Sequence, residues 1–156
     1  MVEDVFSWNV LLHESEDKLA RALHDVYRAQ NPTGPHPGWE ELSEEFRDSN
    51  RQAADHIPIK LRALGYHQEP LTNQKARIVS FEEPEVDLLA QMEHTRWCAE
   101  RYLAGWTYGV TTDRKRKINR CLTEWNKLTP EEQKKDPEQI NAISKALYNL
   151  GIGIYR

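Results

Sequence analysis

The chain contains one sequence pattern twice, and this duplication limits the folds that it can adopt. The first copy opens on Trp39 and closes on Gly65, and the second opens on Trp125 and closes on Gly151. Six positions match at a constant offset of 86 residues without a gap. Because each copy contains helical spacing and a loop, the repeat predicts two related helix–loop–helix halves.

The segment before each copy repeats as well, but at a smaller offset. The pattern Leu-Ala-x-x-x-His-x-x-aromatic occurs twice, 70 residues apart. It contains His24 and Tyr27 the first time, and His94 and Trp97 the second time. The second copy therefore carries 16 extra residues in its loop, the difference between 86 and 70. Two such copies predict a pseudo-two-fold domain, and domains of this kind tend to bind a ligand where matching side chains converge.

Length and charge define the class of protein. At 156 residues we expect one domain over residues 1–156, with halves at about 15–70 and 82–156. A net charge of −4 argues against a general nucleic-acid or membrane binder. No apolar run reaches membrane-spanning length, and Cys98 and Cys121 lack metal or disulfide-framework spacing. We therefore expect a reduced, cytoplasmic protein.

Hydrophobic periodicity and end signals predict a mainly α fold with short β-strands or hairpins. We expect four main helices, at residues 15–30 with Ser15 as N-cap, 49–64 interrupted at Pro58, 84–104, and 137–149 with Asp136 as N-cap. Short strands are expected at residues 76–81, 106–110 and 152–155.

The third predicted helix has two different faces. Its core face is expected to consist of four residues at helical spacing, Leu88, Met92, Ala99 and Leu103. The opposite face combines an imidazole, an indole and a guanidinium, from His94, Trp97 and Arg101. That combination suits a base or sugar ring with an attached phosphate. Alternatively, Trp97 packs against the other half and Arg101 pairs with a glutamate, and the sequence leaves both interpretations open.

The same helix and the turn after it read Glu93-His94-x-Arg96-Trp97-x-x-x-Arg101-x-x-x-Gly105-Trp106-x-Tyr108-Gly109. This run resembles the second-half signature of the ryanodine receptor repeat domain, the RyR domain. His24-x-x-Tyr27-Arg28 and the run from Ser49 to Leu61 are similar to the bacterial first half of that family. The resemblance covers roughly residues 19–156 and is closest to small members of bacterial or phage type.

The resemblance implies a mainly helical fold of two similar halves. A eukaryotic member holds an adenine nucleotide between its halves, with aromatic side chains around the base. Carried over by position, this implicates Trp97 and Arg101, with Tyr27 as the first-half aromatic. Bacterial members occur near nucleotide-signalling or defence functions, so the resemblance also implies a role in cyclic-nucleotide signalling or phage defence.

The loop after the signature departs from the family. Members commonly read Gly-Pro-Val-Arg-Asp-Asp, whereas this chain reads Gly109-Val110-Thr111-Thr112-Asp113-Arg114. The usual loop arginine is thus absent at Thr112, although four basic residues follow at 114–117. These either contact phosphate in a rearranged way or form a solvated strand edge.

Catalytic and metal-binding patterns are not found in the sequence. The six histidines show neither HExxH nor paired spacing with a carboxylate, and no Gly-rich phosphate loop or GxSxG elbow occurs. Glu93 and His94 point about 100° apart on a helix, so they do not form an acid–base pair, and Glu93 is expected to orient Arg96 or Arg51. We expect no catalytic residue, no metal and no cofactor.

The sequence thus predicts a non-catalytic module that binds an adenine-nucleotide-like or second-messenger ligand between its halves, as a sensor or a sequestering protein. The alternative is a protein–protein interaction or scaffold domain whose seam is filled by its own side chains. A protein partner or homo-oligomer is compatible with either function. The candidate ligand-binding residues are Tyr27, His24, Arg51, His94, Trp97, Arg101, Tyr108, Arg114 and Arg116.

Overall fold

Helices make up most of the chain in the computed structural model, which describes residues 17–30, 32–33, 36–71 and 78–156. The helices are α1 (residues 17–30), α2 (Glu44–Asp55), α3 (Ile57–Ala63), α4 (Glu83–Leu103), α5 (Pro130–Gln133) and α6 (Lys135–Asn149). The strands are β1 (His67–Pro70), β2 (Thr107–Tyr108), β3 (Ile118–Asn119) and β4 (Ile152–Tyr155). The predicted class, mainly α with short strands, is confirmed.

The predicted second helix is two helices in the structure. The Ser43 side chain caps α2, so helix begins at Glu44, five residues before the expected start. α2 ends at Asp55 and α3 restarts after His56, with Pro58 in its first turn. Proline fits there because the first helical N–H groups need no intrahelical acceptor. Pro58 therefore restarts the helix.

The two sequence copies form the same local structures. Trp39–Glu41 and Trp125–Lys127 are both short 3-10 helices. Each is followed by a capping hydroxyl 86 residues from its counterpart, from Ser43 and Thr129. The Arg47 Nε and Gln133 Nε2, also 86 residues apart, donate to the carbonyl oxygens of Trp39 and Trp125 at 3.1 and 2.8 Å. The duplication in sequence is thus a duplication of backbone conformation.

The strands form two small sheets. β1 pairs with β4 in antiparallel orientation, and β2 pairs with β3 in parallel. Of the predicted strands, 152–155 is confirmed and 106–110 is reduced to Thr107–Tyr108. The prediction at 76–81 is wrong over residues 78–81, and residues 76–77 lie outside the described residues. The sequence did not indicate β1 or β3, because neither segment alternates in hydrophobicity.

The expected core face of the third helix is also wrong. Leu103 is 91% exposed and Leu88 is 44% exposed in α4. The buried residues of α4 are instead Leu89, Ala90, Glu93, His94 and Arg101. Burial of this polar face is possible because Glu93 accepts hydrogen bonds from Arg96 at 2.7 and 3.1 Å. Counting apolar residues alone therefore selected the solvent-exposed side.

The helix ends differ modestly from the predictions. α6 begins at Lys135, so Asp136 lies in its first turn and is not the N-cap. Ser15, the predicted cap of the first helix, lies outside the described residues. α4 spans Glu83–Leu103 with Pro84 in its first turn, as the sequence predicted to within one residue.

The described chain divides into two compact units. One contains the described residues up to Ser80 together with Ala142–Arg156, and the other contains Phe81–Asn141. In the first unit, Trp39 packs with Ala20 and Ala54, and Val26 packs with two alanines of α6. α1 and Trp39 therefore both contribute to the core of the first unit.

Candidate functional site

A row of aromatic and cationic side chains lines α4. The His94 ring centroid lies 5.9 Å from that of Trp97 and 5.7 Å from that of Trp125. The Arg101 guanidinium lies 5.9 Å from the Trp97 ring centroid and 5.5 Å from that of Trp106. We call these five residues the α4 aromatic row. The spacing of 3 and 4 between the α4 residues brings their side chains to one face of the helix.

Arg101 is the buried cation of this row, with 8% of its surface exposed. Its Nη2 lies 3.6 Å from the Glu100 carboxylate, and its guanidinium lies near the two indole rings of Trp97 and Trp106. A guanidinium near aromatic faces gains cation–π stabilisation, which increases as water is excluded. Arg101 therefore combines a carboxylate contact with two aromatic contacts at a buried position.

The end of α4 positions Trp106. Gly105 adopts φ +83, a left-handed conformation that favours glycine. The Trp106 N–H then donates to the Arg101 carbonyl at 2.9 Å and the Gly105 N–H to that of Tyr102 at 3.0 Å, which is a Schellman motif. This turn brings the chain back along α4. Among the described residues, the buried Nε1–H of Trp106 has no hydrogen-bond acceptor.

His94 has a defined positioning role. Its Nε2 is 2.7 Å from the Thr123 carbonyl oxygen, so this nitrogen donates and must carry the proton. Its Nδ1 lies 3.7 Å from the Asp136 carboxylate, and the Cys98 sulfur lies 3.4 Å from Nε2. His94 thus connects α4 to the segment before Trp125.

The neighbouring Cys98 thiol is held in its protonated form by its surroundings. Burial and the negative charge of Asp136 raise the pKa of the Cys98 thiol to about 11.

His24 makes the same contact in the first copy. Its Nε2 is 2.8 Å from the Pro37 carbonyl oxygen, and its ring meets that of Trp39 edge-on at 6.4 Å. Pro37 and Thr123 are 86 residues apart, the offset of the tryptophans that follow them. Each histidine therefore fixes a helix to the loop before a tryptophan turn. The ligand-binding role of both histidines stays a prediction.

Tyr27 and Arg51 belong to the first unit. The Tyr27 ring lies 5.6 Å from that of His36. Arg51 forms ion pairs at 2.6 Å with each of Asp17, Glu44 and Asp48. The hydrogen bond to Asp17 is the largest cause that raises the pKa of Arg51 above its ordinary value. Three carboxylates pair with Arg51, so an anionic ligand at this guanidinium would have to compete with them.

The other candidates lie on the loop after α4. Tyr108 is exposed on β2, and Arg114 and Arg116 are exposed in the turn between β2 and β3. The structure therefore brings His94, Trp97 and Arg101 together, but places Tyr108, Arg114 and Arg116 outside the α4 aromatic row. The shared concavity predicted for Tyr27 and Trp97 joins residues of different units and stays a prediction.

The sequence interpretation missed two members of the row, Trp106 and Trp125. The Gly105-Trp106 pair was a usable signal, because a glycine after a helix often turns the next residue back over the last turn. Trp125 was not among the candidate ligand-binding residues. In the structure it is half-buried and lies beside His94.

Two further kinds of feature, a metal-binding cluster and a membrane-spanning helix, are not found among the described residues. No group of three or more His, Cys, Asp or Glu side chains within residues 17–30, 32–33, 36–71 and 78–156 is arranged to hold a metal ion. In the same ranges no helix is both long enough and apolar enough to cross a membrane.

The fold and the row define a mainly helical domain with a tryptophan–arginine cluster on its longest helix. The family model described as the RyR domain matches residues 66–156, which is more than half of the chain. The chain belongs to the RyR domain family. The matched residues contain the whole α4 aromatic row, whereas the first-copy residues Tyr27 and His24 lie outside the match.

Proposed function

We propose that this RyR domain is a non-catalytic module that binds a nucleotide-type small molecule at the α4 aromatic row. The observation that carries this proposal is that the Arg101 guanidinium lies 5.9 Å from the ring centroid of Trp97 and 5.5 Å from that of Trp106. An indole offers a stacking surface for any base, and a guanidinium binds phosphate oxygens in a bidentate way. Adenine nucleotides and nucleotide second messengers contain both groups.

Each residue of the row has a distinct role in this proposal. Trp97, which is half-buried, stacks on the base, and Arg101 binds phosphate. Trp106 supplies a further donor, its Nε1–H, for a ligand oxygen. Tyr27 is the second aromatic residue that the sequence predicts. A sensor and a sequestering protein use the same contacts, and they differ only in whether the bound state signals to another molecule.

The absence of a catalytic step is part of the proposal. His94 is the general-base candidate nearest the stacking ring, but its Nε2 proton is held by the Thr123 carbonyl at 2.7 Å. The other ring nitrogen, Nδ1, would have to act as the base, but it faces the Asp136 carboxylate at 3.7 Å in a residue that is only 5% exposed. The geometry therefore favours His94 as a support for Trp97.

The test is titration of the purified protein with ATP, ADP-ribose and a cyclic dinucleotide, followed by calorimetry and thermal melts. A ligand that binds only the folded state raises the melting temperature. We expect Trp97→Ala to weaken binding by roughly five- to a hundredfold, because base–aromatic stacking is worth about 1–3 kcal/mol. Arg101→Ala is expected to weaken it by roughly ten- to a hundredfold, through loss of a charge-assisted hydrogen bond.

Matched controls separate the site from general effects. Tyr148→Ala and Arg62→Ala remove an aromatic ring and a guanidinium from exposed positions elsewhere, so they should leave affinity unchanged. Arg101→Lys keeps the charge but loses the planar fork, and intermediate affinity is expected. Full affinity in Trp97→Ala, or no melting shift with any nucleotide of the panel, would overturn the proposal.

A protein-interaction module with a self-filled site is the second candidate function. It is favoured by one observation: the groups of the row already contact each other and Glu100. In that case Trp97→Ala should destabilise the ligand-free protein as much as a core substitution such as Leu89→Ala. Under the nucleotide proposal, Trp97→Ala loses affinity with a clearly smaller loss of stability.

A further inference from the structure

The extra segment of the second copy forms a separate surface loop. The offset between copies changes from 70 at His94 to 86 at Trp125, so the additional residues lie between these two positions. In the structure this stretch contains β2, a turn and β3. We call residues 107–122 the insertion loop. The first copy ties its histidine to the tryptophan turn without such a loop, so the His–Trp connection itself does not require it.

The insertion loop is held in shape by its own hydrogen bonds. Asp113 and Ile118 exchange two backbone hydrogen bonds of 2.9 and 2.8 Å. The Asp113 carboxylate also accepts from the N–H groups of Lys115 and Arg116, at 3.0 and 3.2 Å. Lys117, at φ +54, donates its Nζ to the carbonyl of Ala104 at 2.8 Å. A loop backbone fixed in this way has little further conformational entropy to lose on binding.

The charge of the insertion loop is opposite to that of the whole chain. It contains five basic residues and one acidic residue, in a chain of net charge −4. Three of the basic side chains have a partner: Lys117 on Ala104, Arg120 with Glu132 at 2.8 Å, and Arg116 with Asp113 at 3.8 Å. Arg114, Lys115 and Arg116 are exposed, and the Arg116 side chain stays 81% exposed despite its ion pair. Among the described residues, Arg114 and Lys115 form no ion pair.

Apolar side chains accompany these cations. Val110 is 82% exposed and Tyr108 is 55% exposed, both in the insertion loop. Leu103, the almost fully exposed last residue of α4, precedes the loop by a few residues. Large apolar side chains that remain this exposed beside a cluster of cations are a common feature of protein-binding surfaces.

We infer that the insertion loop is a docking surface for a short acidic segment of a partner protein that also carries apolar side chains. Carboxylates of the segment pair with Arg114, Lys115 and Arg116, and its apolar residues cover Val110 and Tyr108. An acidic peptide is favoured over a nucleic acid or an anionic bilayer because those polyanions extend beyond the loop. The loop contributes +4 to the net charge of −4, so the residues outside it carry −8, which disfavours a long polyanion more than a short segment.

The test uses a fluorescein-labelled peptide of alternating glutamate and leucine, with fluorescence anisotropy at low and physiological salt. The variant Arg114→Glu/Lys115→Glu/Arg116→Glu is expected to weaken binding at least about tenfold, since three attractive pairs become repulsive. The control Arg62→Glu/Lys134→Glu/Lys145→Glu carries the same net charge with all changes at exposed positions elsewhere. It should bind within about twofold of the unchanged protein.

Several outcomes would overturn this inference. These are no binding of the peptide, equal loss in both triple variants, and tighter loop-dependent binding of an oligonucleotide or an anionic vesicle than of the peptide. Should the first variant fold poorly, Lys115→Glu and Val110→Ser test the charged and apolar contacts singly. The nucleotide titration is independent, because it depends on Trp97 and Arg101 and not on the insertion loop.

Discussion

His24 and His94 each donate Nε2–H to a backbone carbonyl two residues before a tryptophan. In both copies the imidazole thus joins a helix to the loop that leads into the tryptophan turn. Both histidines are buried, at 8% and 5% exposed, and a buried donor left without an acceptor costs about 1–3 kcal/mol, so the equivalent backbone carbonyl satisfies the ring in both copies. This local role explains the presence of histidine in both copies without a ligand.

Cys98 provides a prediction at the residue scale. Burial and Asp136 raise the pKa of its thiol from 9.0 to about 11, so at pH 7.5 the thiolate fraction falls by about a hundredfold. The greater nucleophilicity of the more basic thiolate recovers roughly tenfold. We therefore expect Cys98 in the folded Cys121→Ser protein to react with iodoacetamide about tenfold more slowly than the same cysteine in the protein unfolded in urea. The rate should rise with pH up to about 11, and rapid alkylation at neutral pH would contradict this assignment.

At the element scale, α4 shows how a polar face becomes buried. Arg96 links Glu93 and Glu100 through hydrogen bonds of 2.7 Å, and His94 uses a loop carbonyl. Each of these buried polar groups has a partner, so burial carries little net penalty. The apolar face with Leu88 and Leu103 is left to solvent.

This arrangement predicts a large loss of stability for one leucine substitution in α4 and almost none for another. Leu89 is fully buried, so Leu89→Ala should lower the free energy of unfolding by about 2–5 kcal/mol through the cavity that it leaves. Leu103 is 91% exposed, and Leu103→Ala should change the free energy of unfolding by no more than about 0.5 kcal/mol. Urea unfolding of both variants measures the difference. Equal destabilisation would show that the end of α4 is packed.

At the scale of the whole molecule, the ends of the two copies pair with each other. Gln68 pairs with Ile154, which is its own counterpart 86 residues later. His67 pairs with Tyr155 and Glu69 with Gly153, so the register is the same when the two copies are exchanged. A local two-fold axis through the Gln68–Ile154 pair produces this self-complementary pattern. The pseudo-two-fold relation of the complete halves stays a prediction.

The β1–β4 ladder gives a prediction for hydrogen exchange. Ile154 is 7% exposed, and Ile154→Ala should lower the free energy of unfolding by about 2–5 kcal/mol. Because the two strands share one ladder, amide exchange should accelerate in β1 as well as in β4. Val110→Ala, at an exposed position, is the matched control. Acceleration confined to β4 would show that β1 is held independently of its partner.

The sequence predicted those features that depend on neighbouring residues. The helix ends near Gly65, Gly105 and Gly151 are found where predicted, because a left-handed residue after a helix is a local requirement that glycine meets. For Glu93 the sequence left Arg96 and Arg51 open as partners, and the structure shows Arg96, one helical turn away. Trp97 and Arg101 were grouped correctly for the same reason, since both belong to one helix.

Other features depend on contacts between distant residues. The short strands β1 and β3 exist because partner segments lie beside them, and their own residues carry no strand pattern. The addition of Trp106 and Trp125 to the row required the turn after α4 and the loop carbonyl of Thr123. The sequence predicted Arg51 as a ligand-binding residue, and only the structure shows the three carboxylates that pair with it.

The sequence alone thus determined the duplication, the helical class and the family, because these depend on spacing along the chain. Only the tertiary structure decided which face of α4 is buried and where the cations of the second copy lie. A polar side chain is buried or exposed according to whether a distant partner satisfies it. For Glu93 that partner is nearby, for His94 it is 29 residues away, and for Arg114 the described residues contain no ion-pair partner.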